Sequence, residues 1–421
     1  MSSMNFLDKL LDGVEVEWKT LGEVTSPTAN VKWRDANRTY RYIDLTSVNI
    51  ETKTIVETSE ITRSNAPSRA QKLVEKDDVI FATTRPAQRR YCLIDDYHAG
   101  EVASTGYCVL RAKKEEVSPK WILHWIASSD FKAYVEENQS GSAYPAISDA
   151  KVKDFKIPIP CPEDSKKSLE IQTKIVQILD AFSELTSELT SELILRKKQY
   201  EYYREQLLSF EDGEVEWRTL GDVTKKWYSG GTPKAGVPEY YEGGDIPWLR
   251  TQEVKFSDIK STEVKITQAA LDSSAAKWIP ANCVIVAISG ATAGRSAINK
   301  IPLATNQHCG CLEIDSKKAL YRYVFHWVSF NYENIKALGQ GARGDLNSSI
   351  IKSFKLPLPY ANDPEKSLAE QTRIVAILDK FDTLTTSISE GLPREIELRQ
   401  KQYNHYRDLL LSFPKPDIAY G

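Results

Sequence analysis

The sequence predicts two mixed α/β (α+β) domains in a pseudo-two-fold arrangement, joined by two long helices that form an antiparallel coiled coil. The first observation behind this is an internal repeat: VEWKTLGEVT at Val16 returns as VEWRTLGDVT at Val215, and FKIPIP at Phe155 returns as FKLPLP at Phe354. The second is a long segment with an apolar heptad after each copy. The third is an alternation of short β-branched runs and amphipathic segments inside each copy.

The repeat divides the chain into five parts. KSLEIQTKIVQILDAF at Lys167 returns 199 residues later, whereas RKKQYEYYREQLLSF at Arg196 returns 203 residues later. The second copy therefore holds four extra residues between Phe381 and Arg399. We predict a variable block at 1–163, a helical segment at 164–211, a second block at 212–363, a second helical segment at 364–413 and a tail at 414–421.

Each segment after a block is predicted to be one long helix. In the first, apolar residues at 171, 175, 178, 182, 185 and 189 follow a 4-3-4-3-4 spacing, which is a heptad seam. SELTSELTSEL, from Ser183 to Leu193, places a stutter in this seam. Since each helix follows a block in one chain, we expect an antiparallel pair; the alternative is that each helix packs separately on its own block. Gly391-Leu392-Pro393 predicts a bend or break in the second helix.

The block interiors contain both strand and helix signals. DDVIFATT and NCVIVAIS are short β-branched runs that predict buried strands. SPKWILHWIASSDFKAYVEEN and LYRYVFHWVSFNYENIKAL have the periodicity of amphipathic helices. Their His-Trp pairs, at His124 and His326, are interpreted as core and cap residues rather than catalytic ones.

Composition and motifs exclude several classes of protein. No apolar run approaches the roughly 18 residues of a membrane span, and the N-terminal sequence lacks the features of a signal peptide. The six scattered Cys include no CxxC pair, so we expect reduced thiols, no metal site and a cytoplasmic protein. Without a GxxxxGK[ST] loop or a GxGxxG after a strand, no nucleotide or methyl-donor pocket is expected.

Basic and aromatic residues point to nucleic acid. The chain carries a net charge of −3, yet residues 31–90 hold 12 Lys/Arg against 8 Asp/Glu. Arg and Gln can bond to base edges, and Lys or Arg can neutralise phosphates. The candidate DNA-binding residues are Arg34, Arg38, Arg41, Arg85, Gln88, Arg89, Arg90, Lys225, Lys226, Tyr228, Arg250, Arg295 and Arg343.

At this point the chain resembles the specificity subunit of type I restriction–modification systems. The resemblance covers nearly all of it, through EVEWKTLGEVT, YSGGTPKAG, SGATAGRS, TNQHCGCLEI and the repeated helical segments. It implies that 1–163 and 212–363 are target recognition domains, each reading one half of a bipartite double-stranded DNA site. It also implies that the coiled coil spaces these domains and docks two methyltransferase subunits, while restriction/translocase subunits complete the assembly.

The resemblance further implies that this chain is non-catalytic. S-adenosylmethionine, Mg²⁺ and ATP would bind to the partner subunits, whose complex is an adenine-N6 methyltransferase and an ATP-dependent endonuclease. The tetrapeptide repeat would set the gap between the half-sites. The seam residues expected to serve the spacer and partner docking are Leu185, Leu189, Leu193, Tyr200, Ile388, Leu392 and Tyr403.

Two alternatives of a different class stay open from the residues alone. Asp245, Glu253 and Lys255 loosely match the Asp…Glu-x-Lys set of metal-dependent nucleases. A coiled-coil interaction protein without DNA binding would also show the heptads.

Overall fold

The chain folds into two compact units. The computed structural model describes residues 6–11, 13–211, 215–341, 344–387 and 390–415. The first unit comprises residues 1–192 and 392–421, and the second comprises residues 193–391. Each unit therefore contains one variable block, part of the first helical segment and part of the second.

The helices account for the long segments and one side of each block. They are α1 (Phe6–Leu11), α2 (Pro119–Ala127), α3 (Ser129–Asn138), α4 (Asp149–Lys153), α5 (Ser165–Leu208), α6 (Leu220–Val223), α7 (Gln268–Ser273), α8 (Tyr321–Phe330), α9 (Tyr332–Ala337), α10 (Ser348–Ser353), α11 (Pro364–Thr386) and α12 (Leu392–Leu410).

The strands are short and lie within the two blocks. In the first unit they are β1 (Val16–Thr20), β2 (Thr25–Ser26), β3 (Tyr40–Ile43), β4 (Ser59–Ile61), β5 (Ala70–Leu73), β6 (Val79–Ala82), β7 (Tyr91–Leu93), β8 (Val102–Ser104), β9 (Tyr107–Ala112) and β10 (Lys156–Pro160). In the second unit they are β11 (Val215–Thr219), β12 (Thr224–Ser229), β13 (Ile246–Leu249), β14 (Asp258–Ile259), β15 (Val264–Ile266), β16 (Val284–Ala287), β17 (Ser296–Asn299), β18 (Ala304–Thr305), β19 (Cys309–Ile314) and β20 (Lys355–Pro359).

The two blocks share a sheet plan. In the first, the sheets have the orders β2-β9-β6-β7 and β4-β3-β8-β5; in the second, the orders are β12-β19-β16-β17-β14 and β15-β13-β18. Antiparallel pairs β1–β10 and β11–β20 join the first strand of each block to its last. The repeated phrases VEWKT and KIPIP thus close each block at its edges, which explains why the edges match while the interiors differ.

The predicted buried strands are confirmed. β6 (VIFA) and β16 (VIVA) are buried at every position, because each lies between two other strands and beneath a helix. Trp121 and Trp125 on α2 are buried in the core of the first unit. Tyr323 on α8 is buried in the core of the second unit.

Each predicted amphipathic segment is two helices rather than one. Ser128 is extended (φ −68°, ψ 161°) and ends α2, while its hydroxyl accepts a hydrogen bond from Phe131 N and so begins α3. Asn331 (φ −93°, ψ 22°) separates α8 from α9 without a side-chain cap, and its amide donates instead to Trp327 O at 3.1 Å. Serine and asparagine interrupt helices readily because their side chains compete for backbone groups, a tertiary choice that periodicity does not reveal.

The long helices confirm the predicted length, pairing and break. α5 is one helix of 44 residues. In the first unit Phe182 stacks on Tyr406 of α12 with ring centroids 5.1 Å apart, and in the second Tyr200 stacks on Phe381 of α11 at 5.9 Å. As the residue number along α5 rises from 182 to 200, the number of the residue stacked on it falls from 406 to 381, as expected for antiparallel helices.

The second helical segment breaks where the four extra residues occur. α11 ends at Thr386, and α12 begins at Leu392 with Pro393 in its first turn, where a proline is tolerated. Gly391 has a φ of +83°, and a Cβ there would lie 2.4 Å from the Thr383 carbonyl oxygen. Only glycine fits that position. The predicted seam residue Ile388 lies outside the described residues.

Candidate nucleic-acid interface

Three loops meet at one end of the first unit's β6 sheet. They are residues 83–90, 104–106 and 140–146, which we call loop surface 1. Thr83 donates from its backbone N and its hydroxyl to the Gly106 carbonyl, at 2.8 and 2.9 Å. Ile147 N donates to Thr83 O at 2.9 Å, and Arg85 N donates to Pro145 O at 2.7 Å. These bonds fix the three loops against each other.

The turn between β6 and β7 is the most unusual backbone on loop surface 1. A 3₁₀ turn at Pro86–Gln88 is flanked by Arg85 (φ +49°) and Arg89 (φ +51°), both left-handed. A residue with a Cβ in that conformation costs about 1 kcal/mol relative to glycine. Strained non-glycine residues are retained where the side chain has a use. Each arginine side chain should therefore serve a purpose.

Arg85 and Tyr144 form an exposed stack on loop surface 1. The Arg85 guanidinium carbon lies 5.2 Å from the Tyr144 ring centroid, within cation–π range. Tyr144 is 70% exposed. Tyr144 is not among the predicted DNA-binding residues; the signal that could have found it is a lone aromatic residue inside the small-residue loop GSAYPA.

Arg89 and Arg90 point into the unit instead. The Arg89 guanidinium donates to the carbonyls of Ala127 (2.5 Å) and Ser128 (3.4 Å), at the C-terminal end of α2. Arg90 donates to Val48 O at 2.6 Å. A cation that satisfies the last carbonyls of a helix has a structural use. The prediction that these two side chains face DNA is thus not supported by their geometry.

Lys53 also contacts the strained turn, although no sequence pattern singled it out. Its ammonium donates to the Arg89 carbonyl at 2.6 Å and lies 4.5 Å from the Tyr91 ring centroid. Burial, together with the nearby charges of Arg89 and Arg90, lowers the pKa of Lys53 to about 8. Lys53 therefore stabilises the backbone of the strained turn through its hydrogen bond to the Arg89 carbonyl.

The second unit builds the same kind of surface. Residues 288–295, 306–308 and 339–346 form loop surface 2, of which 342 and 343 lie outside the described residues. Ile288 N donates to His308 O at 2.9 Å, and Leu346 N donates to Ile288 O at 2.7 Å. Ile288 follows β16 as Thr83 follows β6, so the loops meet by the same bonds. SGATAGRS is confirmed as a turn between strands, with 3₁₀ residues Gly290–Thr292.

An exposed chain of polar side chains runs from the loop after β12 onto loop surface 2. Thr232, on the loop after β12, donates to Gln307 Oε1 at 2.7 Å. Gln307 Nε2 lies 3.1 Å from His308 Nε2, and His308 Nδ1 lies 2.7 Å from Ser289 Oγ. The phrases SGGTP and TNQHCG contain Thr232, Gln307 and His308, for which no role was predicted from the sequence.

Some predicted DNA-binding residues lie at the loop surfaces, and others do not. Arg85, Gln88 and Arg295 belong to them. Arg250 follows β13, whose Leu249 is opposite Thr305, so it lies beside loop surface 2. Its guanidinium is paired with Glu253 (3.5 Å) and Glu263 (2.5 Å). Arg343 lies outside the described residues.

Arg38 and Arg41 lie at the opposite end of β8 from loop surface 1. The Glu101 carboxylate, just before β8, accepts from Arg41 N at 2.7 Å and pairs with Arg38 at 3.5 Å. A strand of three residues separates this carboxylate from Thr105 and Gly106, which corresponds to about 10 Å. Arg34 precedes them on an exposed 3₁₀ turn, beside Asp35.

Lys225, Lys226 and Tyr228 lie on β12 around one carboxylate. Glu313 Oε1 pairs with Lys225 at 2.6 Å, and Glu313 Oε2 accepts from Tyr228 OH at 2.6 Å. The Lys225 and Tyr228 hydrogen bonds lower the pKa of Glu313, and the Glu313 bond raises that of Tyr228 to about 12. Lys226 lies over the Tyr228 ring at 4.7 Å.

The nuclease set does not assemble. Asp245 precedes β13, whereas Glu253 and Lys255 follow it. Glu253 accepts backbone hydrogen bonds from Arg250 (3.2 Å) and Glu263 (2.8 Å), so its carboxylate closes a turn. Within the part of the chain that the structure describes, no three His, Cys, Asp or Glu side chains group to hold a metal ion.

The two His-Trp pairs join each block to its long helix. His124 Nε2 lies 2.9 Å from Asp180 Oδ1 on α5, and His326 Nε2 lies 2.6 Å from Asp379 Oδ1 on α11. Both histidines are buried. The interpretation of these pairs as core residues is supported, and their acidic partners are an addition from the structure.

The match of the sequence to a protein-family model identifies the family. The model described as "Type I restriction modification DNA specificity domain" matches residues 14–196 and again 213–398. The chain belongs to the type I restriction–modification specificity subunits. The double match falls on the two copies of the repeat and covers most of the sequence, so the family resemblance is confirmed.

Curated specificity subunits match along their full length. The EcoR124I/EcoR124II specificity subunit of Escherichia coli is 41% identical, and the alignment covers 100% of both chains. A putative specificity subunit of Haemophilus influenzae, S.HindORF215P, is 29% identical over 98% of this chain and 99% of its own. Specificity subunits are not themselves catalytic.

Solved structures show the same fold for this specificity subunit. The type I S subunit of M. genitalium aligns with a TM-score of 0.60 at 14% identity, covering 96% of this chain and 98% of its own. A chain of another type I restriction–modification system aligns with a TM-score of 0.57 at 21% identity, covering 94% and 97%. None of the helices in the described ranges is long and apolar enough to cross a membrane.

Proposed function

We propose that this specificity subunit reads a bipartite DNA site, with loop surface 1 on one half and loop surface 2 on the other. The observation that carries the proposal is a shared frame with different side chains at the same places. Thr105 and Gly106 link β8 to β9 in the first unit, where Asn306, Gln307 and His308 link β18 to β19 in the second. A fixed backbone with variable polar tips suits the reading of two different sequences.

The remaining cations supply a second tier of candidate contacts. Arg34, Arg38 and Arg41 in the first unit, and Lys225 and Lys226 in the second, lie away from the loop surfaces but remain partly exposed. Such residues suit phosphates, because Lys and Arg neutralise the DNA backbone whatever the base sequence.

The paired helices are proposed to set the gap between half-sites and to dock two methyltransferase subunits. Leu185, Leu189 and Leu193 are only half-buried within the chain, as are Tyr200 and Tyr403. Apolar seam residues left half-exposed in a long helix are suited to a partner's helices. Restriction/translocase subunits would join this complex, and S-adenosylmethionine, Mg²⁺ and ATP would bind to the partner subunits rather than to this chain.

The proposed complex methylates adenine N6 and cleaves DNA with ATP. We place it in the cytoplasm, where the DNA is. The six cysteines, which are unpaired, fit a reducing compartment. Burial raises the pKa of Cys92 and Cys309 to about 12, so these thiols stay protonated and unreactive.

Methylation mapping tests the proposal. DNA from cells that express this chain with its methyltransferase subunit should carry a two-part motif with a fixed gap. An ungapped palindrome would contradict the division of labour between the two surfaces. Metal-dependent DNA cleavage by the isolated chain, lost in Glu253→Ala, would support a nuclease instead.

A further inference from the structure

The exposed polar chain on loop surface 2 has a defined direction. An amide nitrogen can only donate, so the 3.1 Å contact runs from Gln307 Nε2 to His308 Nε2. In the neutral imidazole the proton then sits on Nδ1 and is donated to Ser289 Oγ, 2.7 Å away. At the other end, the Thr232 hydroxyl donates to Gln307 Oε1. Both ends of the amide are therefore held in one orientation.

The amide keeps unused bonding capacity on its exposed side. A primary amide has two N–H donors and two acceptor lone pairs. His308 takes one donor and Thr232 takes one acceptor, which leaves one of each on Gln307. One donor beside one acceptor is complementary to the N7 acceptor and N6 donor that adenine presents in the major groove.

The position of Gln307 fits a reader of bases. It lies in the loop that links β18 to β19, and the structure leaves its side chain exposed. The equivalent link in the first unit contains Thr105 and Gly106, which offer no amide. The two units thus share the backbone arrangement of this loop but differ in its side chains, as expected where two surfaces read different bases.

We propose that Gln307 reads an adenine in the half-site of the second block, and that Thr232 and His308 are positioning residues that pre-orient its amide. This inference rests on the proposed function and names the base that one of its surfaces recognises. Because the amide is held before DNA binds, less side-chain freedom is lost on contact. No proton transfer or covalent step is involved.

The test measures base discrimination by the complex of this chain with its methyltransferase subunit. The wild-type motif is first mapped by methylation, and binding is then measured on duplexes carrying each single substitution in the site. In Gln307→Ala, discrimination at one A·T pair of one half-site should fall from roughly 5- to 150-fold to near unity. Gln307→Glu should shift the preference at that pair toward cytosine, since a carboxylate accepts from cytosine N4.

The positioning role has its own readout. His308→Ala should weaken discrimination at the same base pair, and the double variant with Gln307→Ala should be no weaker than Gln307→Ala alone. Gln268→Ala is the matched control, because Gln268 is an exposed glutamine on α7, which follows β15 at the far end of β13 from Arg250. It should leave every position unchanged.

The outcomes separate this inference from the proposed function. A wild-type complex without a bipartite motif would overturn the proposed function. A bipartite wild-type motif that Gln307→Ala leaves unchanged, or a uniform loss of affinity across all duplexes in an assembled complex, would overturn the adenine reading alone. Additive effects of Gln307→Ala and His308→Ala would overturn the positioning role.

Discussion

At the scale of the residue, the role of an arginine depends on which ring or acceptor its guanidinium contacts. Arg85 and Arg89 flank the same turn in the same strained conformation. Arg85 stacks on exposed Tyr144, whereas Arg89 donates to carbonyls at the end of α2. The sequence RPAQRRY, which begins at Arg85, offers no means of telling these two arginines apart, because the α2 carbonyls lie almost 40 residues away along the chain.

The first prediction separates these two arginines. Arg89→Ala should lower the free energy of unfolding of the first unit by about 1–2 kcal/mol, since it strands carbonyls at a helix end. Arg85→Ala should leave that free energy unchanged but weaken DNA binding and, for a phosphate contact, reduce the salt slope by about 1. Denaturant unfolding and salt-dependent binding measure the two effects. The reverse pattern would show that Arg89 faces DNA.

The second prediction concerns Lys53 and pH. Burial, with the charges of Arg89 and Arg90, lowers its pKa from 10.5 to about 8 in the folded state. Between these two pKa values the unfolded chain binds the extra proton, so the unfolding free energy rises with pH. Relative to Lys53→Met, which cannot titrate, the wild type should gain on the order of 1 kcal/mol from pH 7 to 10, allowing for partial exposure. A constant difference across this range would contradict it.

At the scale of the element, each block is joined to its long helix by a partly buried ion cluster around a buried histidine. Burial alone would raise the pKa of Asp379, but hydrogen bonds from His326 and Arg322 lower it on balance. Arg322 also reaches Asp258 at 2.6 Å. In the first unit, Asp180 binds His124 and Lys120 in the corresponding place. The second copy thus replaces a lysine with a bidentate arginine.

The third prediction is that Asp379→Ala destabilises the second unit by about 1–3 kcal/mol. The reason is that Arg322 and His326 lose their shared partner while they remain largely buried. In the wild type this contribution is present above the ordinary carboxyl pKa and is lost as pH falls through the lowered one. Asp272→Ala, on exposed α7, serves as control in chemical denaturation. Equal stabilities of the two variants would refute a fastening role.

The fourth prediction concerns the tetrapeptide repeat on α5. The Thr186 and Thr190 hydroxyls donate to carbonyls four residues earlier, so the hydroxyl of each of these threonines is satisfied within its own helix. Deleting Thr190–Leu193 should shorten the helix by about 6 Å and the gap by one or two base pairs, leaving both half-sites unchanged. Methylation mapping reads the gap.

A length-matched control accompanies the deletion. Thr190→Ala keeps the number of residues and should keep the gap. A deletion that alters a half-site but not the gap would reject the spacer role of this segment.

At the scale of the whole molecule, the end of each helical segment packs into the core of the unit that contains the other copy's block. Leu410, Leu411 and Phe413 are buried in the core of the first unit, and Trp18 Nε1 donates to Pro414 O at 2.8 Å. Leu208 is buried in the core of the second unit. The repeated phrase that ends in LLSF therefore belongs to the core of the unit that contains the other copy's block.

The fifth prediction tests this completion. Phe413→Ala should destabilise the first unit by about 3 kcal/mol, because the ring is 4% exposed and contacts Trp121 and Trp125. Phe210→Ala, at the equivalent position of the first copy, should cost the second unit less, since Phe210 is only partly buried. Hydrogen exchange resolved by unit measures both, and an equal or inverted effect would contradict the prediction.

Periodicity and backbone constraints act between neighbours along the chain, and they were enough to predict the two-copy plan, the 44-residue helix, the break at Gly391-Leu392-Pro393 and the buried strands. Which side chains share a surface depends on the folded chain. Arg89 and Arg90 bond to carbonyls within the first unit, and the Glu253 carboxylate closes a turn. Folding also brings Thr232, Ser289, Gln307 and His308 into contact. The physical reason is that a hydrogen bond depends on where a partner lies in space, and pairs such as Glu253 with Glu263 and Thr232 with Gln307 are 10 and 75 residues apart.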